Sequence, residues 1–224
     1  MEKPKNLTII AIEGPDKVGK QTQSQLLEKR LRSLQITTPD LPLVTMLYEI
    51  PSSSGICHKE IYEALDGGAD APAKRWPEVF QALQVANRID VQKRLLSKVE
   101  LSPARNFVAV FDRWHVSSFA YGWPLGLSDD MLAYFRSMVW TPDMTFLLEG
   151  NGFDRDGPRD AYEDDGSFQS EVRKGYKRWY DENRSRENIV IVDADRDIDD
   201  VHGAITASCA AMLNSTKSGW RSNE

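Results

Sequence analysis

The chain has 224 residues, 41% of them hydrophobic, and a formal charge of −6. That apolar content supports one domain with a sizeable core and excludes a disordered chain. The acidic balance excludes a general nucleic-acid binder, which needs a basic excess, but leaves room for a small anion held by local cations.

In chain order, the polar start "MEKPKN" carries no signal-peptide pattern, and no apolar run is long enough to span a bilayer. Cys57 and Cys209 lack metal-type spacing and read as reduced thiols, so a cytoplasmic protein is expected. Five apolar runs read as strands: 7–12, 43–47, 107–111, 145–149 and 189–193. They are continuous rather than alternating, as strands buried on both faces are. Helices are expected at about 20–34 (with Leu27, Leu31 and Leu34 on one face), 77–98, 128–138, 167–183 and 199–213. Strands separated by helices imply an α/β fold with a parallel sheet covered on both faces. One domain over 1–214 is expected. The Gly-, Asp- and Arg-rich stretch around 150–166 reads as a mobile lid, and 215–224 as a disordered tail.

The segment "IEGPDKVGKQTQ" (12–23) follows the first strand and opens the first helix. It matches a phosphate-binding loop from Gly14 through Pro15, Asp16, Lys17, Val18 and Gly19 to Lys20. Backbone N–H groups and the helix dipole there favour a phosphate, and Lys20 would reach the outer phosphates. The hydroxyl that usually follows the lysine is replaced by Gln21 and arrives one residue later, at Thr22. A glutamine carbonyl is a hard oxygen donor, so Gln21 could take part in holding Mg²⁺, directly or through water.

The third strand ends in Asp112, at the carboxyl end of the sheet, where such folds bind ligands. Asp112 could organise Mg²⁺ and Arg113 grip a phosphate, or the two could be a structural ion pair. Phe80, Gln84 and Arg88 share one face of the long helix, where Arg88 taken alone reads as a solvated charge. Arg155 and Arg159 are either solubility charges or cations that swing over a transferring phosphoryl group.

Taken together, these motifs resemble the thymidylate kinase family over nearly the whole chain. The resemblance rests on the loop with Asp16 and Lys17 inside its glycines, "ANR" (86–88), "DRW" (112–114), "AYEDDGSFQSEV" (161–172) and "VDADRDIDDV" (192–201). It implies a three-layer P-loop kinase fold with a five-stranded parallel sheet and a mobile lid. It implies ATP and Mg²⁺, a nucleoside monophosphate acceptor and a homodimer, with no nucleic-acid or membrane partner. Lys17, Lys20, Arg113, Arg155 and Arg159 would supply cations, and Gln21, Thr22 and Asp112 would organise Mg²⁺. Asp16, Glu49, Phe80, Gln84, Arg88, Arg113, Ser117, Tyr121 and Tyr162 would line the acceptor site, and Asp193 and Ala194 would lie near the adenine. Two departures stand out. The family's base-stacking aromatic, four residues before the "ANR" arginine, is Gln84 here. The loop after the second strand, "YEIPSSSG" (48–55), lacks the arginine many members carry.

The expected reaction is transfer of the ATP γ-phosphoryl group to a pyrimidine deoxynucleoside monophosphate, with thymidylate the default and a 5-modified deoxyuridylate such as the 5-hydroxymethyl form the alternative. A deoxynucleoside kinase with Glu49 as base and a non-catalytic nucleotide binder remain the rivals.

Overall fold

In the computed structural model, residues 2–37, 43–153, 161–162 and 165–220 are described. The strands are β1 (Leu7–Glu13), β2 (Leu43–Glu49), β3 (Asn106–Asp112), β4 (Met144–Glu149) and β5 (Ile189–Asp193). They form one sheet in the order β2-β3-β1-β4-β5, and every pairing is parallel. All five expected strands are present. The expected burial on both faces holds for β1, β3 and β4. It fails for β2 and β5, which are the sheet edges and are only partly covered.

The helices are α1 (Lys20–Thr37), α2 (His58–Leu65), α3 (Pro72–Arg75), α4 (Pro77–Glu100), α5 (His115–Gly122), α6 (Asp129–Ser137), α7 (Gly166–Asn183) and α8 (Ile198–Trp220). Strand side chains alternate between two cores. Ile10, Ile12, Val108, Val110, Phe146 and Leu148 pack with Leu27 and Leu31 of α1 and Val201 and Ile205 of α8. On the other side, Ile9, Ala11, Phe107, Ala109 and Phe111 pack with Val91 and Leu95 of α4. A third cluster joins Phe80 of α4, Val116 and Ala120 of α5, and Tyr176 and Trp179 of α7. The expected three layers are therefore present.

Three helices escaped the sequence reading. α2 and α3 are short, and α5 is buried on nearly every side, so none shows a long amphipathic stripe. α8 runs on to Trp220, into the stretch read as a tail. The Leu34 side chain, most of the expected lid (154–160 and 163–164) and 221–224 lie outside the described residues.

Candidate active site

The loop 14–19 leaves β1 at its carboxyl end and turns into α1. Its tightness fixes two glycines. Gly14 has φ 144°, and a Cβ there would sit 2.5 Å from the Leu148 carbonyl oxygen; Gly19 has φ 86°. Lys17 also adopts a left-handed φ of 66°, and its carbonyl accepts from Phe153 N at 3.0 Å. Val18 points away into the core. Lys20 is 6% exposed, and its ammonium donates to the Pro15 carbonyl. Burial and the nearby Arg113 pull its pKa down to about 7, against the opposing pull of Asp16, Asp112 and Glu13.

A cavity of about 650 Å³ opens between this loop and the ends of β2 and β3; Asp16, Lys17, Lys20, Gln21, Glu49, Asp112 and Arg113 all line it. Glu49 and Asp112 are register partners at the ends of adjacent strands. Burial raises the Asp112 pKa, Glu49 and Glu13 add to it, and Lys20 and Arg113 oppose it. The Gln21 amide nitrogen donates to Glu49 Oε1 at 3.1 Å, which leaves its carbonyl oxygen for another partner. Thr22, expected beside Gln21, is half-buried on α1 and does not line this cavity.

Arg113 connects this cavity to a second one. It has φ 65°, and its backbone N–H donates to the Ile12 carbonyl at 2.9 Å. Its Nη1 reaches Gly14 O at 3.2 Å, and Ser117 Oγ and Tyr176 Oη at 3.4 Å each; its Nη2 pairs with Asp16. An Asp112–Arg113 structural pair is therefore not what forms. Burial opposes the charge on Asp16, but Arg113, Lys20 and hydrogen bonds from Tyr121 and Gln169 lower its pKa overall.

The second cavity, of about 280 Å³, shares Asp16 and Arg113 with the first and adds Phe80, Gln84, Arg88, Ser117, Tyr121 and Tyr162. The reading of Arg88 as a solvated charge is corrected, since it is 2% exposed. Burial lowers its pKa to about 10, with Arg113 adding and Glu13 and Tyr176 opposing. Gln84 faces the same space.

Two positioning residues went unread in the sequence. Glu13, wholly buried at the end of β1, accepts from the N–H groups of Trp114 (2.7 Å), Val116 (3.1 Å) and Ser117 (3.3 Å) and from Ser117 Oγ (2.6 Å). A carboxylate there satisfies the orphan donors at the start of α5 and fixes the "DRW" turn. Asn87, the middle residue of "ANR", accepts from Ser52 N at 2.8 Å and donates to Ser52 O at 3.2 Å and Ile56 O at 2.8 Å. It clamps the loop after β2 that walls both cavities. A strand-end acid and a helical Asn-Arg pair were the available signals, but both contacts depend on long-range topology.

Asp193 accepts from Asp195 N at 3.0 Å, and buried Ala194 donates to Glu149 O at 2.7 Å. Neither lines the two cavities described. Arg155 and Arg159 lie outside the described residues.

A profile described as thymidylate kinase matches residues 12–205. A curated relative, a probable thymidylate kinase of Pyrobaculum aerophilum, is 32% identical over 143 residues, covering 64% of this chain and 65% of that protein. Another, a probable thymidylate kinase of Thermococcus kodakarensis, is 27% identical over 219 residues, covering 91% of this chain and 98% of that protein. The crystal structure of thymidylate kinase from Ehrlichia chaffeensis is similar in fold, with a TM-score of 0.63 at 18% identity, covering 91% of this chain and 98% of that one.

Proposed function

This chain belongs to the thymidylate kinase family, and on that premise we propose that it transfers the γ-phosphoryl group of ATP to a pyrimidine deoxynucleoside monophosphate, thymidylate among them, giving the diphosphate. The observation that carries this reading is the seat of Arg113, a guanidinium lining both the phosphate-loop cavity and the smaller pocket. An acceptor with its base in the smaller pocket would bring its phosphate to Arg113, facing the Lys20 side.

The second pKa of such a phosphate is near 6, so at pH 7 its oxygen is already deprotonated and no general base is needed. What remains is to align two anions and offset their repulsion. Lys20 and Lys17 serve the donor phosphates. Arg113 holds the acceptor, and Asp16 and Ser117 orient Arg113 through the contacts above. Arg155 and Arg159 are assigned to the lid by sequence alone. Asp112, Glu49 and the Gln21 carbonyl supply hard oxygens, the donor set Mg²⁺ takes, and the ion needs few protein ligands. When bound, Mg²⁺ would offset phosphate charge there. Glu49, tied to Gln21, fits that setting better than the role of a free base for a nucleoside hydroxyl.

The test is a panel of nucleoside monophosphates, with thymidine added, incubated with Mg-ATP. Diphosphate from thymidylate is expected. Product from thymidine alone would favour a nucleoside kinase, and no product from any acceptor would leave a binder that transfers nothing. Homodimer formation, also part of this reading, is tested by sedimentation.

A further inference from the structure

Helix α4 directs three polar side chains at the smaller cavity. Gln81, Gln84 and Arg88 follow the i, i+3, i+7 spacing of one helical face, and all three line that cavity. Gln81 and Arg88 are each 2% exposed. Gln81 Oε1 and Arg88 Nε and Nη1 are buried without a hydrogen-bond partner. Gln84 is half-buried, and its amide makes no hydrogen bond with any described residue. Unmet polar groups converging on a cavity mark contacts that a ligand makes.

Two of the three tyrosines lining this pocket, Tyr121 and Tyr162, have already placed their hydroxyls, and the third, Tyr62, is half exposed. Tyr121 donates to Asp16 at 2.7 Å and Tyr162 donates to the Ala73 carbonyl at 3.1 Å. With Phe80 they offer ring surface. The polar edge of an incoming base therefore falls to the α4 stripe. Arg88 only donates, which suits a ring carbonyl. Each glutamine amide brings an oxygen that needs a donor. Thymine has one ring N–H, enough for one amide oxygen, and its 5-methyl group offers nothing to the other.

We propose that Gln81 and Gln84 contact the acceptor base beside Arg88 as specificity-determining residues, and that the pocket favours a pyrimidine monophosphate whose 5-substituent carries a hydroxyl over one carrying a methyl. This rests on the nucleoside monophosphate reading above. The hydroxyl supplies the second donor that thymine lacks. A site built to hydrogen-bond a substrate group discriminates strongly against the analogue without it.

The test is direct binding by calorimetry of thymidylate, 5-hydroxymethyl-deoxyuridylate and deoxycytidylate to the wild-type chain, Gln84→Leu, Gln84→Met and Gln81→Leu, with turnover on Mg-ATP measured in parallel. Tighter binding of the hydroxymethyl nucleotide to the wild type is expected. Both Gln84 variants should shift the ratio toward thymidylate by about tenfold or more, and Gln81→Leu should weaken both 5-substituted nucleotides. An unchanged ratio in the Gln84 variants overturns the proposal, as does tightest binding of deoxycytidylate or no binding of any of the three. The two readings separate cleanly. The expected binding ratios without diphosphate formation would sink phosphoryl transfer and keep the base assignment, whereas thymidylate turnover with an unshifted ratio would do the reverse.

Discussion

Asp16 of the phosphate loop and Arg113 after β3 are 97 positions apart and joined as an ion pair, Nη2 to Oδ1. The other Asp16 oxygen accepts from Tyr121 at 2.7 Å and from Gln169 at 2.8 Å. One carboxylate thus ties the loop, α5 and α7 to the guanidinium at the junction of the two cavities. Arg113→Lys keeps the charge but gives up the planar fork that reaches Gly14, Ser117, Tyr176 and Asp16 together. Loss of a charge-assisted contact is worth about 1.5–3 kcal/mol, so kcat/KM for the acceptor should fall roughly ten- to hundredfold. Steady-state kinetics with varied acceptor check this, and near-parental values would remove Arg113 from the acceptor site.

Lys20 is held nearly out of water, its ammonium on the Pro15 carbonyl and Arg113 nearby. In a dry site one charge-assisted contact to a developing anion contributes about 3–4 kcal/mol. Lys20→Ala should therefore lower turnover by roughly a hundredfold or more. Turnover close to the parent's would mean that the loop is not where phosphoryl transfer occurs.

The sheet was legible because continuous apolar runs alternate with helical stripes, and both signals are local. The edge character of β2 and β5 was not, because it depends on the strand order, with β1 central, that only the fold sets. α5 stayed hidden for a physical reason: His115, Ser117, Ser118 and Tyr121 are buried alongside its apolar residues, so no polar face remains to mark a period. The phosphate loop and "DRW" could be read because their chemistry sits in adjacent residues. The roles of Glu13 and Asn87 could not, since each acts on a segment brought close by folding. Glu13 serves residues 101–104 positions away, and Asn87 serves residues 31–35 positions away. For Arg88, the sequence alone favoured a solvated charge, and its burial removes that reading.

Gln21 stands where a hydroxyl is usual, and its amide nitrogen is already engaged by Glu49. If the carbonyl is the working group, a hydroxyl can replace it while the exposed Glu49 finds water instead. Gln21→Thr is expected to keep Mg²⁺-dependent turnover within about tenfold of the parent, roughly 1.4 kcal/mol. The measurement is turnover against Mg²⁺ concentration. A collapse at every Mg²⁺ concentration would show that the Gln21–Glu49 contact itself shapes the site.

His115 gives the fold a pH dependence with a definite sign. Its side chain is 1% exposed, its Nε2 lies 3.4 Å from Glu187 Oε2, and its ring meets Trp179 edge-on with centroids 5.5 Å apart. Burial pushes its pKa down to about 3; Arg136 and Arg88 push the same way and Glu13 opposes them. In the unfolded chain the imidazole titrates near 6.5. Between those values the unfolded state binds more protons than the native state, so stability is fully present above about pH 6.5 and drains as the pH falls toward 3. From pH 7 to pH 5 this one group should cost about 2 kcal/mol at most. Urea midpoints at the two pH values measure the loss. His115→Gln, which has no proton to take up, should lose less between pH 7 and pH 5 than the parent, whatever its stability at pH 7. If variant and parent lose stability in parallel, the acid sensitivity belongs to other groups and the assignment to His115 is wrong.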